Sequence, residues 1–202
     1  MSEQEQREAI VKQAKAAIGT RFIHGCRIKG IGYDCETFIC EVFAGAGVFT
    51  AQGIPYVPAQ WFMNSRQELY LNYLSKYASE YQPAFGPRPS AVGQQAAPPA
   101  DDRRPTTDDQ EVARLSRAAG PIAQTTPLPG DIIVVKTRWV YSHGAIVVAW
   151  PRVIHCYPPC VSESDVYANP VFYGHELKFF NPFSHQQSAV SGQPNTPAAP
   201  AG

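Results

Sequence analysis

The sequence lacks an excess of charge of either sign. Lys and Arg together number 17, Asp and Glu also number 17, and the formal net charge is zero. A protein that binds nucleic acid without sequence preference needs a basic surface to neutralise the phosphates. We therefore expect no nucleic acid among the partners, and no attraction to an anionic membrane surface.

Long hydrophobic runs are also missing. No stretch approaches the roughly 20 apolar residues that a membrane-spanning helix requires, so no membrane span is expected. The sequence begins MSEQEQRE, which stays polar where a signal peptide would turn apolar. This pattern predicts a protein without a signal peptide.

Cysteine is scarce, with five among 202 residues. Five thiols cannot all pair with one another, and a chain of this length can form a core without disulfide support. The sequence therefore predicts a reducing compartment and at least one thiol that is available for chemistry.

Aromatic residues are absent between residues 86 and 138. Most of that gap is rich in proline or charge and too poor in apolar side chains to offset the entropy of ordering, which predicts a flexible insert over 86–128. Residues 186–202 contain prolines but no charged or aromatic side chain, and we predict a disordered tail. The remainder is interpreted as one domain, with an N-terminal helical half at 1–85 and a β-sheet half at 129–185.

Hydrophobic periodicity predicts helices first and strands second. Ser2 and Glu5 have capping-box spacing, which predicts a helix over 3–18. A second apolar helical face predicts a helix that starts at or near Cys35 and ends at Gly45. Helical candidates follow at 70–81 and 109–119, and β-rich runs at 132–136, 144–149, 152–157 and 176–180. This order indicates an α+β fold with an antiparallel sheet.

Cys35 has the position of a nucleophile. The free N–H groups and dipole of a helix start stabilise a thiolate and can bind an oxyanion, so we expect a lowered pKa for Cys35. His143, which opens a strand, and His155, in the next strand, supply a candidate base and a residue that orients it. Free cysteines and strand histidines are more often buried structural residues. That interpretation is kept for Cys40, His24, His175 and His185.

A zinc site is a further alternative. His155, Cys156 and Cys160 resemble half of one, and His24 with Cys26 would supply the other half. Structural zinc sites usually have tighter paired spacings. We therefore predict no metal and no other cofactor.

Three sequence blocks occur in a characteristic order. The first is AAIGTRF at 16–22, and the second is GIGYDC at 30–35. The third combines PGDII at 129–133, SHGAI at 142–146 and VIH at 153–155. Together they resemble the NlpC-type peptidoglycan peptidases, which belong to the papain-like cysteine peptidase superfamily. The family's blocks are Gly-Thr-Pro-Tyr, Gly-x-Asp-Cys-Ser-Gly and a strand pair that carries the base and a third polar residue.

The resemblance implies a fold, a reaction and a set of catalytic residues. The fold is the α+β papain-like NlpC fold, in which N-terminal helices pack on a central antiparallel sheet. By position, Cys35 matches the nucleophile, His143 the base and His155 the third polar residue. The implied activity is cysteine-dependent hydrolysis of an amide bond in a peptidoglycan stem peptide, without a cofactor.

Three more residues are candidates for the oxyanion or substrate side of the site. Phe22 occupies the position of the family's Tyr and lacks its hydroxyl. Asp34 precedes the nucleophile, as in the family. Glu36 occupies the position of a Ser and adds a negative charge beside the thiol.

The spacing between the motifs looks most like the phage-encoded branch of the family, which combines a Gly-x-Gly-x-Asp-Cys motif with a long segment between Cys35 and His143. Members of that branch accompany a tail tip or related particle. The resemblance implies tail or baseplate proteins as partners, and a location first in the cytoplasm of the producing cell and then in a virion or particle that acts on the cell wall. Two alternatives stay open: a non-catalytic structural subunit of a tail or particle, and a papain-like amidase or acyltransferase with another substrate.

The two histidines constrain the hairpin between their strands. Strand alternation places His143 and Ala145 on one face, and a regular two-residue turn at Trp150-Pro151 would put His155 on the other. We therefore predict a three-residue connection, or a bulge with the same effect. Either would pair His155 with Ala145 and bring the imidazoles within reach of each other.

Deletion of residues 90–107 should leave the melting temperature nearly unchanged. Doubling the length of a flexible loop changes its closure cost by only about 0.6 kcal/mol. Calorimetric melting of the full chain and the deletion variant measures the difference. A large drop in melting temperature would show that the insert packs on the domain.

Overall fold

Helices lie in the N-terminal part of the chain and an antiparallel sheet follows. The structure is a computed structural model that describes residues 1–49, 58–84 and 126–183. The helices are α1 (Glu3–Ala16), α2 (Cys35–Gly45) and α3 (Leu69–Leu74), with a 3₁₀ helix at Trp61–Met63. The strands are β1 (Arg27–Ile28), β2 (Gly32–Tyr33), β3 (Ser79–Tyr81), β4 (Ile132–Thr137), β5 (Val140–Ala149), β6 (Arg152–Tyr157), β7 (Cys160–Asp165) and β8 (Leu177–Asn181). The predicted α+β class is confirmed.

Capping boxes start the first two helices. At α1, Ser2 Oγ accepts the Glu5 N–H and the Glu5 carboxylate accepts the Ser2 N–H, as predicted. At α2, Asp34 Oδ1 accepts the Thr37 N–H, and Thr37 Oγ1 accepts the Asp34 N–H, both at 2.9 Å. The predicted bounds of α2 are confirmed, whereas α1 ends at Ala16 rather than residue 18. Within the described ranges, no helix is long and apolar enough to cross a membrane.

The main sheet has six strands in the order β3-β8-β4-β5-β6-β7, and each neighbouring pair is antiparallel. Both faces of the sheet are apolar, and α2 packs on one of them. The buried apolar sheet residues of that helix-covered face are Ile132, Val134, Tyr141, Ile146, Val148, Ile154, Cys156, Val161 and Phe180. Those of the opposite face are Ile133, Val135, Ala145, Val147, Val153 and Phe179, with Phe172 packed against them.

The β5–β6 hairpin has the register that the two histidines require. Ala145 lies opposite His155, and the register shifts between Val147 and Ala149 before the two-residue turn at Trp150-Pro151. The turn is therefore short, and a bulge in β5 compensates for it. The predicted pairing of His155 with Ala145 is confirmed.

Two predictions of secondary structure are wrong. His143 lies within β5 and does not open it, because the strand begins at Val140. The helix predicted over 70–81 ends at Leu74, since Ser79–Tyr81 pairs with β8 and this long-range pairing outweighs the local helical period. The helix predicted at 109–119, most of the insert at 86–128 and the tail at 186–202 lie outside the described residues.

A buried ion pair joins α1 to the start of β4. Asp131 is fully buried, and its Oδ1 accepts Arg7 Nη1–H at 2.9 Å. Its Oδ2 accepts the Tyr81 hydroxyl at 2.5 Å and the Leu128 N–H at 3.0 Å. Arg7 Nη1 also donates to the carbonyl of Pro129 at 2.8 Å. Both charges are thus hydrogen-bonded, which allows them to be buried.

Substitution of this arginine, Arg7→Met, should reduce the free energy of unfolding by about 3–5 kcal/mol, because it leaves the buried Asp131 charge without its cation. The control is Glu3→Gln, which removes the half-exposed partner of the same arginine and should cost less than about 1 kcal/mol. Urea unfolding of the two variants measures both losses. Equal losses of unfolding free energy in the two variants would contradict the role of the Arg7–Asp131 pair in joining α1 to β4.

Candidate active site

A cavity of about 830 Å³ opens where the start of α2 approaches β5 and β6. Its wall contains all six residues that the sequence singled out: Phe22, Asp34, Cys35, Glu36, His143 and His155. The fold therefore brings together residues from both halves of the sequence.

Cys35 lies against the β5 backbone on either side of His143. Its thiol is 3.8 Å from the carbonyl oxygen of Ser142, to which it donates. The backbone of Gly144 also hydrogen-bonds to the sulfur. Ser142 and Gly144 flank His143 in the strand, and Cys35 and His143 both line the cavity.

The two imidazoles are hydrogen-bonded to each other. His143 Nε2 and His155 Nδ1 are 2.9 Å apart, and both side chains are buried, with 7% and 2% exposed. The Phe172 ring packs against both, its centroid 5.9 Å from that of His143 and 4.9 Å from that of His155. The bond uses Nε2 of His143 and leaves Nδ1 as its other nitrogen.

The expected lowered pKa of Cys35 is wrong. Burial raises the pKa of this thiol well above its usual value, the charges of Glu36 and Asp34 raise it further, and the Gly144 hydrogen bond offsets only part of the rise. Burial, and then the neighbouring His155, lowers the pKa of His143 to about 3, and burial lowers that of His155 to about 4. Desolvation favours the neutral forms of all three groups and outweighs the effect of the helix start on the thiol.

Asp34 holds the start of α2 in place. Besides the Thr37 N–H, its Oδ1 accepts the Thr37 hydroxyl at 2.8 Å. Its Oδ2 accepts the Gly25 N–H at 2.8 Å and lies 3.7 Å from His24 Nδ1. These contacts position the first turn of α2, and with it Cys35.

Glu36 and Phe22 give the cavity a polar and an apolar wall. Burial, and then the charge of Asp34, raises the pKa of Glu36 to about 7. Phe22 is held by its backbone, whose N–H donates to the carbonyl of Pro159 at 2.8 Å. Glu36 is therefore a carboxyl group that changes charge near neutral pH beside the thiol.

Sequence reasoning missed several residues around the cleft. Trp61 and Phe62 of the 3₁₀ helix form part of the cavity wall. Tyr70 packs so closely on β5 that a Cβ at Gly144 would lie 2.0 Å from its hydroxyl oxygen. No local motif could have identified these contacts, because segments distant in sequence make them.

The candidate zinc ligands do not come together in the structure. Within the ranges that the structure describes, no three His, Cys, Asp or Glu side chains are grouped so as to hold a metal ion. The Cys156 thiol instead donates to the carbonyl oxygen of Tyr33 at 3.1 Å. All five cysteines lie in described segments and are free thiols.

Comparison with solved structures finds likeness to proteins of the NlpC type. NlpC2 from Trichomonas vaginalis matches with a TM-score of 0.50 and 10% identity, over 91% of this chain and 48% of its own. The NlpC/p60 domain of the peptidoglycan hydrolase SagA has a TM-score of 0.47 and 14% identity, over 85% of this chain and 96% of that domain. RipD from Mycobacterium tuberculosis is described as a non-catalytic NlpC/p60 domain protein. It has a TM-score of 0.42 and 13% identity, over 88% of this chain and 98% of its own.

The predicted NlpC-type fold is confirmed by this structural likeness. The chain spans about half the length of NlpC2. No model of a protein family and no curated protein matches the sequence. The likeness therefore lies in the three-dimensional fold.

Replacement of the neighbouring acid, Glu36→Gln, should speed the alkylation of Cys35 by iodoacetamide several-fold above pH 7. There the Glu36 carboxylate is ionised and opposes the thiolate, whereas below pH 7 it becomes protonated and the wild-type and variant rates should converge. Mass mapping of the labelled peptides over this pH range measures the rates.

The matched control is Glu41→Gln on the same helix, which removes the carboxylate paired with Arg27 and should leave Cys35 labelling unchanged. Equal rates for Glu36→Gln and wild type at every pH would contradict the electrostatic role of Glu36.

Proposed function

We propose that this protein is a cysteine peptidase that hydrolyses an amide bond in peptidoglycan stem peptides. The observation that carries the proposal is the placement of the Cys35 thiol against the backbone on both sides of His143, whose Nε2 is hydrogen-bonded to His155. A nucleophile, a base and a residue that orients the base thus share one cleft.

The reaction begins from neutral groups. As Cys35 Sγ attacks the substrate carbonyl carbon, its proton passes to His143 Nδ1, since His143 Nε2 is engaged with His155. The tetrahedral intermediate collapses to a thioester, and the leaving amine takes the proton from His143. Water then attacks the thioester with His143 as base, which releases a carboxylic acid and restores the thiol.

The start of α2 is the proposed oxyanion site. Asp34 already accepts the Thr37 N–H, so the N–H groups of Cys35 and Glu36 are the donors that remain at the head of this helix. They lie beside the attacking sulfur, where the helix dipole favours negative charge. Phe22, in the position of the family's Tyr, has no hydroxyl to add to them.

The substrate class rests on the resemblance of the three sequence blocks to NlpC-type peptidases, together with the shared fold. We extend the proposal to delivery by a phage tail or similar particle, which the Gly-x-Gly-x-Asp-Cys motif at 30–35 supports. We also propose that 1–85 and 129–185 are halves of one domain. Most described residues of both ranges belong to one compact unit, which supports that division.

A second candidate is a non-catalytic module that binds peptidoglycan or serves as a structural subunit of a particle. The raised pKa of Cys35 and the lowered pKa of His143 favour it, because a site that holds both groups neutral has no preformed thiolate. A papain-like amidase or acyltransferase with another substrate is a third possibility that the same experiment separates.

Purified sacculi incubated with the wild-type protein should release new stem-peptide fragments, and Cys35→Ala should abolish the release. The control is Cys40→Ala, which removes a buried thiol from the same helix and should retain activity if the protein folds. Mass spectrometry of the soluble fragments and circular dichroism of each variant provide the measurements.

The other outcomes assign the alternatives. Binding to sacculi without any fragments would favour the non-catalytic module. Neither binding nor release, with a thiol that still reacts with activated acyl donors, would favour the amidase or acyltransferase.

A further inference from the structure

A polar network continues beyond the histidine pair to the edge of the sheet. His155 Nε2 is 2.9 Å from Ser164 Oγ, which is 2.8 Å from Asn169 Nδ2. Asn169 Oδ1 accepts the Val171 N–H at 2.9 Å. A backbone N–H can only donate, so Val171 fixes the amide with Nδ2 facing Ser164.

Two arrangements of protons satisfy the bond between the neutral imidazoles. In the first, His143 Nε2–H donates to His155 Nδ1, and His155 Nε2–H donates to Ser164 Oγ. In the second, His155 Nδ1–H donates to His143 Nε2, Ser164 donates its hydroxyl proton to His155 Nε2, and the His143 proton lies on Nδ1. The heavy-atom distances are the same in both.

Only the first arrangement permits His143 to act as a base toward Cys35, because only then does Nδ1 have a free lone pair. Once His143 has taken the proton, both of its nitrogens are protonated, and Nε2–H requires an acceptor at His155 Nδ1. The proton of His155 must then lie on Nε2. His155 is 2% exposed, so this N–H needs an acceptor within the protein, and Ser164 Oγ has that position.

We propose that Ser164 and Asn169 are positioning residues that set the tautomer of His155 and, through it, that of His143. Ser164 is the terminal acceptor of the network, and Asn169 holds the serine oxygen in place. The inference rests on the proposed function for its catalytic meaning. The proton arrangement itself is a property of the resting protein and can be observed without substrate.

The test compares Ser164→Ala and Ser164→Thr with the wild-type full chain, each labelled with ¹⁵N in histidine. Long-range ¹H–¹⁵N spectra at neutral pH report which ring nitrogen carries the proton. The wild type and Ser164→Thr should show both histidines protonated on Nε2. Ser164→Ala should shift both toward the Nδ1–H form, and in sacculus digestion its kcat should fall about five- to a hundredfold with KM little changed.

Asn169→Asp provides a second variant with a different expected result. Its carboxylate would accept the Ser164 hydroxyl proton and leave Oγ free to accept from His155, so the wild-type tautomers should persist. This variant distinguishes an effect of hydrogen-bond direction on the tautomers from an effect of side-chain packing at residue 169.

Each outcome decides the inference. Unchanged tautomers in Ser164→Ala, or a wild-type His143 protonated on Nδ1, would overturn it whatever the activity. Tautomers that shift as expected in a protein that releases no fragments would support the inference and refute the proposed peptidase function. Unchanged tautomers in Ser164→Ala, together with fragment release by the wild type, would overturn the inference and support the proposed peptidase function.

Discussion

The cleft depends on the antiparallel register of β5 and β6. A slip of one residue would turn His155 to the helix-covered face of the sheet and leave His143 on the other. The bulge before Ala149 prevents this, because it places Ala145 opposite His155 although the turn has only two residues. The same stretch of β5 presents its backbone to Cys35. One strand therefore carries His143 and also contacts Cys35.

Burial fixes the positions of the side chains in the site and also favours their uncharged forms. The Phe172 ring and the sheet fix the two imidazoles, but the same removal from water lowers the pKa of both, and it raises the pKa of Cys35. A resting ion pair is therefore disfavoured. In the proposed reaction, charge develops only when substrate is present, where the helix start stabilises the oxyanion and the histidine network stabilises the imidazolium. When Glu36 loses its proton, its negative charge disfavours negative charge on the Cys35 sulfur.

The parts of the fold that follow local rules could be predicted from the sequence. The capping box at Ser2 and the apolar period after Asp34 determine helix starts within a few residues. The 145–155 pairing could be predicted from the requirement that both histidines share one face, which strand alternation permits only with a longer connection or a bulge. The end of α3 at Leu74 could not be predicted, because Ser79–Tyr81 pairs with β8, which lies about a hundred residues later in the sequence.

The residues that line the cavity were easier to predict than their charge. The sequence motifs pointed to Cys35, His143 and His155, and the cavity wall contains all three. The pKa of Cys35 depends on how deeply neighbouring segments bury it, which no local motif records. Ser164 was missed because it lies on β7, a largely polar edge strand whose sequence, CVSESD, has little of the apolar pattern by which strands are recognised.

The ion pair of α1 has a consequence for how the chain acquires its structure during synthesis. Arg7 finds its partner 124 residues later at Asp131, and it reaches Asn181 of β8 after 174 residues. Cys35 likewise meets its β5 contact 107 residues downstream. A chain that emerges from the ribosome from its N-terminus exposes the thiol well before the strands that complete the site, and contacts so distant in sequence form slowly. The cleft therefore cannot be complete until β5 and β6 have been synthesised, long after Cys35 has emerged.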